Sequence, residues 1–116
     1  MTYKLHLRML GFLELRRYRT PDGKVPVSEW LSDLDNKTAA RILAYVDRMK
    51  NENFGNSRSV GQGVSELKIN FGSGYRVYYL RDGKSLVVLL CGGDKGSQKA
   101  DISQSHQCAL DYWSYR

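Results

Sequence analysis

The chain has 116 residues and a mass of 13.3 kDa, enough for one domain with a real core and too little for two. With 18 Lys and Arg against 12 Asp and Glu its formal charge is +6, which favours polyanionic partners such as nucleic acid or acidic protein segments. No apolar run approaches the roughly 20 residues that span a bilayer, and Lys4, His6, Arg8 and Glu14 interrupt the opening stretch unlike a secretory signal; the expected location is the cytoplasm, with no membrane partner.

In residues 1–11, Tyr3, Leu5, Leu7 and Met9 alternate with Lys4, His6 and Arg8. This stretch either extends the first strand or stands as an N-terminal extension, with Met9 as an alternative start. Residues 12–20 alternate loosely and read as a first strand, closed by the turn residues Thr20-Pro21-Asp22-Gly23. Ser28 is the expected N-cap of a short helix through Leu34, with Trp30, Leu31 and Leu34 inward. Asp35-Asn36 breaks and recaps the chain. A second helix is expected over 37–51, because Ala39, Ile42, Leu43, Val46 and Met49 recur at helical spacing. Lys37, Arg41, Asp47, Arg48 and Lys50 take its wet side, a basic stripe that is either a solvated face or an added electrostatic footprint for RNA. Residues 56–63 read as a polar, glycine-bearing loop.

Two hairpins follow. Residues 64–71 and 75–81 flank Gly72-Ser73-Gly74, and a three-residue loop with a left-handed glycine sets Phe71 opposite Tyr75, Asn70 opposite Arg76 and Lys68 opposite Tyr78. Leu67, Ile69, Phe71, Tyr75, Val77 and Tyr79 then share an apolar face, while Glu66, Lys68, Asn70, Arg76 and Tyr78 share the other. Asp82-Gly83 signals a two-residue turn that pairs Tyr79 with Leu86, Val77 with Val88 and Tyr75 with Leu90, leaving Val87 and Leu89 beside Tyr78. The strand ends at Cys91, and Gly92-Gly93-Asp94-Lys95 leads into a helix over 97–113. The expected architecture is α+β: an N-terminal strand, two helices, a three-strand antiparallel meander and a C-terminal helix, with the helices against one sheet face.

This register gathers Lys68, Arg76 and Lys95 near one end of one face, a set of cations on rigid elements suited to phosphate. Arg76 sits on an exposed strand face in this reading, so its removal is expected to cost little stability. Cys91 and Cys108 have no metal-ligand spacing and read as small buried thiols. His6 and His106 show no triad partner, and no metal or other cofactor is expected.

Pro26-Val27-Ser28-Glu29-Trp30-Leu31, Asn53-Phe54-Gly55, Gly63-Val64-Ser65-Glu66-Leu67-Lys68, Gly74-Tyr75-Arg76-Val77-Tyr78 and Gly92-Gly93-Asp94-Lys95 with Gln98 and Asp101-Ile102 resemble the HigB-like branch of the RelE/ParE toxin superfamily. The resemblance covers nearly the whole chain from residue 12 to 113, as a single domain. It implies a RelE-like fold and the toxin of a type II toxin–antitoxin pair, commonly a ribosome-dependent mRNA endoribonuclease. It implies as partners mRNA and the ribosome and a helix-turn-helix antitoxin, with operator DNA bound only through that antitoxin. Arg76 holds the position where relatives place a catalytic arginine. Lys68 stands where this branch usually has arginine, and Lys95 matches the basic residue after the last strand. Several relatives carry a C-terminal Tyr or His near the scissile phosphate; Lys99-Ala100-Asp101-Ile102 has neither.

Metal-free RNA cleavage needs a base near the 2′-OH, cations around the phosphorane and a proton donor for the leaving 5′ oxygen. Arg76 suits the cation role by its charge and fork. Lys68 and Lys95 supply further charge, and a lysine beside other cations is lowered from about 10.4, toward acid or base work. Glu66 is the other candidate base or else an ion-pair partner of Lys68. Tyr78 is a candidate for stacking on a base, with Gln98 and Lys99 as further RNA contacts. Two alternatives from other classes are a ParE-like inhibitor of DNA gyrase and an inactive relative that acts only in a complex with its antitoxin.

Overall fold

The computed structural model describes residues 12–116, so the reading of residues 1–11 lies outside the described residues. Strand β1 (Glu14–Arg17) comes first, followed by a turn in which the Gly23 N–H donates to Thr20 O at 2.9 Å. Helix α1 (Pro26–Ser32) starts on Pro26, where a missing N–H costs nothing, and is not capped by Ser28. The Ser28 hydroxyl accepts from Arg17 instead, at 2.8 Å. Helix α2 (Asn36–Asp47) is capped by the Asp35 carboxylate, which accepts from the Thr38 N–H at 3.3 Å, and it tightens into a 3-10 turn over Arg48–Asn51. After it come strands β2 (Ser57–Gly61), β3 (Val64–Ile69), β4 (Tyr75–Asp82) and β5 (Leu86–Asp94), a 3-10 turn (Lys95–Ser97) and helix α3 (Gln98–Tyr115). No helix among the described residues is long and apolar enough to cross a membrane.

The α+β architecture holds, but the sheet has five strands in the order β1-β5-β4-β3-β2. β1 runs parallel to β5 and the other neighbours are antiparallel. The expected loop over 56–63 is mostly strand: β2 pairs with β3 across a tight turn where Gly61, Gln62 and Gly63 all have positive φ. Its short, polar, half-exposed edge leaves little apolar alternation to read.

The helices do not share one face, which corrects the two-layer expectation. Val27, Leu31, Ile42, Val46 and Met49 of the α1–α2 layer pack on Leu67, Ile69, Val77, Tyr79, Val87 and Leu89. On the opposite face Cys108 and Ala109 of α3, with Ile102 and Tyr112, cover Tyr78, Leu80, Val88 and Leu90. Both faces of β4 and β5 are therefore dry, and a strand buried on both faces shows a continuous apolar run with no alternation.

That run explains the second register error. Asp82 pairs with Leu86 across a three-residue loop in which Gly83 has φ +70, and Tyr79 lies opposite Leu89. The odd shift moves Val87 and Leu89 to the α1–α2 face and Val88 and Leu90 to the α3 face, the reverse of the expectation. In the first hairpin the last pair is Ile69 with Tyr75, so Lys68 lies opposite Arg76 and Glu66 opposite Tyr78. The connecting segment closes through Gly74 N–H to Phe71 O at 2.9 Å, with Gly72 and Gly74 both left-handed. Being an even shift, it changes partners but not faces.

A β-bulge interrupts the β4–β5 ladder: Tyr79 pairs with Leu89 but Tyr78 with Cys91, leaving Leu90 as the extra residue. Beyond it Gly92 turns toward α1 and Gly93 toward α3. A Cβ on Gly92 would run into the Trp30 ring, and one on Gly93 into the Asp101 carboxylate and the Ser97 hydroxyl. Strand β5 extends through both glycines to Asp94, past the expected end at Cys91. Gly92→Ala is expected to destabilise the protein by about 1–3 kcal/mol through overpacking. Thermal melting checks this, and an unchanged melting temperature would contradict the close approach of Trp30.

Candidate functional site

Lys68, Arg76 and Lys95 line one open cleft of about 330 Å³ together with Asn70, Phe71 and the Gly72-Ser73-Gly74 loop. The convergence expected from the sequence is present, although by a different route. Lys68 and Arg76 are direct cross-strand partners. Lys95 follows the end of β5 and is tied back to the hairpin loop by its N–H, which donates to Gly74 O at 3.2 Å. The Asp94 carboxylate accepts from the Gly96 and Ser97 N–H groups at 2.8 and 3.2 Å, so the chain turns sharply where Lys95 meets the cleft.

The three cations differ in environment. Lys68 and Lys95 are exposed, whereas Arg76 is only 6% exposed, against the expectation of an open strand face. Its Nε lies 3.6 Å from Glu66 Oε2, too far for a hydrogen bond, and is a buried polar atom without a hydrogen-bond partner. A cation kept nearly dry and incompletely bonded is held at a cost that the fold retains.

Glu66 is 2% exposed and takes hydrogen bonds from Arg58 Nε, the Tyr78 hydroxyl and Gln98 Nε2, each at 2.9 Å. Burial pushes its carboxyl pKa up, but hydrogen bonds from Arg58, Gln98 and Tyr78 outweigh that and hold it below the usual glutamate range. Its oxygens are occupied by donors, and its ion-pair partners are Arg58 and Arg76 rather than Lys68. Such a carboxylate anchors its surroundings and is poorly placed as a base toward a substrate in the cleft.

Tyr78 has no exposed surface. Burial pushes its hydroxyl pKa well above the usual value and the Glu66 carboxylate pushes it further. No face of its ring is open to a stacking base in this arrangement. Gln98 lies in the first turn of α3 and spends its amide on Glu66. Lys99 is exposed beside it.

Arg58 is a site residue that sequence reading missed. It lies opposite Glu66 in the β2–β3 ladder, within the segment read as a loop. Arg41 is the other. Its guanidinium carbon sits 4.5 Å from the centroid of the Phe71 ring that lines the cleft, which brings the basic side of α2 to the cleft rim. The remaining candidates stay structural: Cys91 and Cys108 are buried free thiols, and His106 Nε2 bonds Val60 O at 2.9 Å, pinning β2 to α3.

Glu66→Gln is expected to destabilise the fold by about 3 kcal/mol at neutral pH, because it strips Arg76 of its counter-charge. Since the folded pKa is lowered from a reference of 4.5, the ionised carboxylate stabilises the fold above that value and the contribution is lost as pH falls through the folded value. The difference in urea midpoint between wild type and Glu66→Gln should therefore shrink as pH drops below about 4.5. A difference that stays constant from pH 7 to pH 3 would remove Glu66 from the hub.

Comparison with known proteins shows the family. The family model described as "Phage derived protein Gp49-like (DUF891)" matches residues 29–107, which contain Glu66, Lys68, Arg76, Lys95 and Gln98. A protein of Haemophilus influenzae (strain ATCC 51907 / DSM 11121 / KW20 / Rd), described as an uncharacterized protein, is 49% identical over 83 residues, covering 71% of this chain and 84% of that protein. The chain belongs to the Gp49-like family of phage-derived proteins, a family associated with toxin–antitoxin systems.

Proposed function

We propose that the protein is the toxin of a type II toxin–antitoxin pair and that it cleaves mRNA during translation without a metal, at the cleft formed by Lys68, Arg76 and Lys95. The observation that carries this reading is Arg76. A guanidinium that is nearly buried, short of hydrogen bonds and walled into a cleft with two lysines suits an anion arriving from outside the protein. In RNA cleavage that anion is the phosphorane.

The reaction needs only the substrate's own 2′-OH. Its oxygen forms a bond to the adjacent phosphorus as the P–O5′ bond breaks, giving a 2′,3′-cyclic phosphate and a free 5′-OH. One proton leaves the 2′ oxygen and one reaches the 5′ oxygen. Arg76, held in place beside Glu66, stabilises the doubly charged equatorial oxygens, where a missing donor commonly costs a hundredfold or more in rate. Lys95 and Lys68 add charge from either side of the cleft. Lys99 and Arg41 extend the cationic track along which the strand lies, and Arg41 also covers Phe71.

The test is to add the protein to translating ribosomes and map new mRNA 5′ ends. Wild type is expected to produce them, and their absence would leave the gyrase-inhibitor and inactive-relative readings in its place.

Arg76→Met is expected to lose on the order of a hundredfold or more in cleavage rate while its melting temperature stays level or rises. Glu66 keeps Arg58, Tyr78 and Gln98 in that variant, so no uncompensated charge is created and an incompletely bonded cation is removed. Full cleavage by a folded Arg76→Met protein would sink the assignment. For Lys95, which supplies charge in this scheme, Lys95→Arg should retain most activity and Lys95→Gln should lose it. Equal failure of both would make Lys95 a proton carrier, because arginine is too weak an acid to exchange.

A further inference from the structure

A row of planar side chains runs from the end of β5 to the cation cleft. It begins with the Trp30 ring, which lies over Gly92 where a Cβ would not fit. The Trp30 and Tyr75 centroids are 6.5 Å apart and those of Tyr75 and Phe71 5.2 Å, with the ring planes tilted by 53° and 46°. All three rings pack against the core beneath α1 and α2. Phe71 is the one aromatic among the described residues that line the cleft. Arg41 ends the row, its guanidinium carbon 4.5 Å from the Phe71 centroid.

Four arginines among the described residues lie over aromatic rings, so the contact by itself is ordinary. Arg81 and Arg116 also face carboxylates, those of Glu52 and Asp82, and Arg48 covers Tyr45, away from the cations. Arg41 differs from all three. Its side chain is exposed, makes no hydrogen bond or ion pair to a described residue, and rests on a ring that walls the cleft. A guanidinium supported on one side by an aromatic ring offers the other side to a second planar group, and nucleobases stack on such surfaces. Tyr78, the stacking residue expected from the sequence, is fully buried and cannot take that role.

We propose that Arg41 is the base-stacking residue of the cleft: a nucleobase flanking the phosphate held by Arg76 lies on the outer side of the Arg41 guanidinium, and purines, with the larger π-face, gain most. The proposal rests on the ribonuclease reading for RNA as the occupant. It goes beyond a charge contact. Lys68 and Lys95 already supply point charges beside Arg76, and a lysine in place of Arg41 would add another, whereas only a planar group stacks. The aromatic row gives the platform its rigidity, because Phe71, Tyr75 and Trp30 are anchored in the core while the arginine itself stays in solvent.

The test uses the full-length chain and two uncleavable probes, 2′-O-methyl hexaadenylate and 2′-O-methyl hexauridylate, which carry the same phosphates and differ in their bases. Wild type is expected to bind the adenine probe about tenfold more tightly, the difference a stacked base commonly makes. Arg41→Lys keeps the charge and should bind the uridine probe as wild type does while losing the adenine advantage. Arg41→Gln should lose the advantage and bind both probes more weakly. The melting temperature of both variants should match wild type, since the side chain is exposed. Equal binding of the two probes by wild type, failure to bind either, or an adenine preference retained in Arg41→Lys would overturn the proposal; the last result would reduce Arg41 to a phosphate contact. Cleavage on translating ribosomes is scored separately. A protein that prefers adenine but cuts nothing sinks only the ribonuclease reading, and one that cuts without the preference sinks only the stacking role.

Discussion

The Glu66 carboxylate, bonded from three directions inside the sheet, is the contact on which the site depends. Arg58 reaches it from β2, Tyr78 from β4 and Gln98 from α3. A desolvated carboxylate costs several kcal/mol unless its oxygens are satisfied, so the three elements are held in one arrangement or the charge is left stranded. Arg76 lies against that carboxylate without being fully bonded by it. The same group thus closes the α3 face of the sheet and sets the position of the guanidinium, and it leaves that guanidinium with capacity for an outside anion.

A second constraint is the close approach of both helical layers to the end of β5. The bulge at Leu90 turns Gly92 under Trp30 of α1 and Gly93 under Asp101 of α3, where no side chain fits. Burial pushes the Asp101 carboxyl pKa up, its hydrogen bond from Ser97 opposes this, and the nearby Asp94 charge adds to the rise. Asp94 then caps the turn that projects Lys95. Gly-Gly-Asp-Lys therefore works as a mechanical motif. Two glycines admit the flanking layers, an aspartate turns the chain and a lysine is delivered to the cleft; the glycines themselves cradle no phosphate.

Helix α3 divides the molecule by chemistry. At its start Gln98 belongs to the buried polar network behind the cleft; at its end Leu110, Trp113 and Tyr115 are exposed. Its middle is fixed by Cys108 and Ala109 against the sheet and by His106 on β2.

The local pattern of the chain was enough for the helices, for strands β3 and β4 with their two faces, and for the gathering of Lys68, Arg76 and Lys95. Helical spacing, alternation and turn residues act over a few neighbours and survive a two-residue error in register, because an even shift preserves the face. The tertiary structure alone decided the rest. Leu86-Val87-Val88-Leu89-Leu90 is apolar at every position because both faces are covered, so nothing local could choose its orientation or reveal the bulge. Burial of Arg76 and Tyr78 follows from α3 crossing the face read as open, and Arg58 enters the site only because β2 adds an edge strand beside β3. Sequence alone showed that Lys68, Arg76 and Lys95 meet; which of the cations pair with Glu66, and whether each stands dry or wet, was set by the strand and helix that pack beside them.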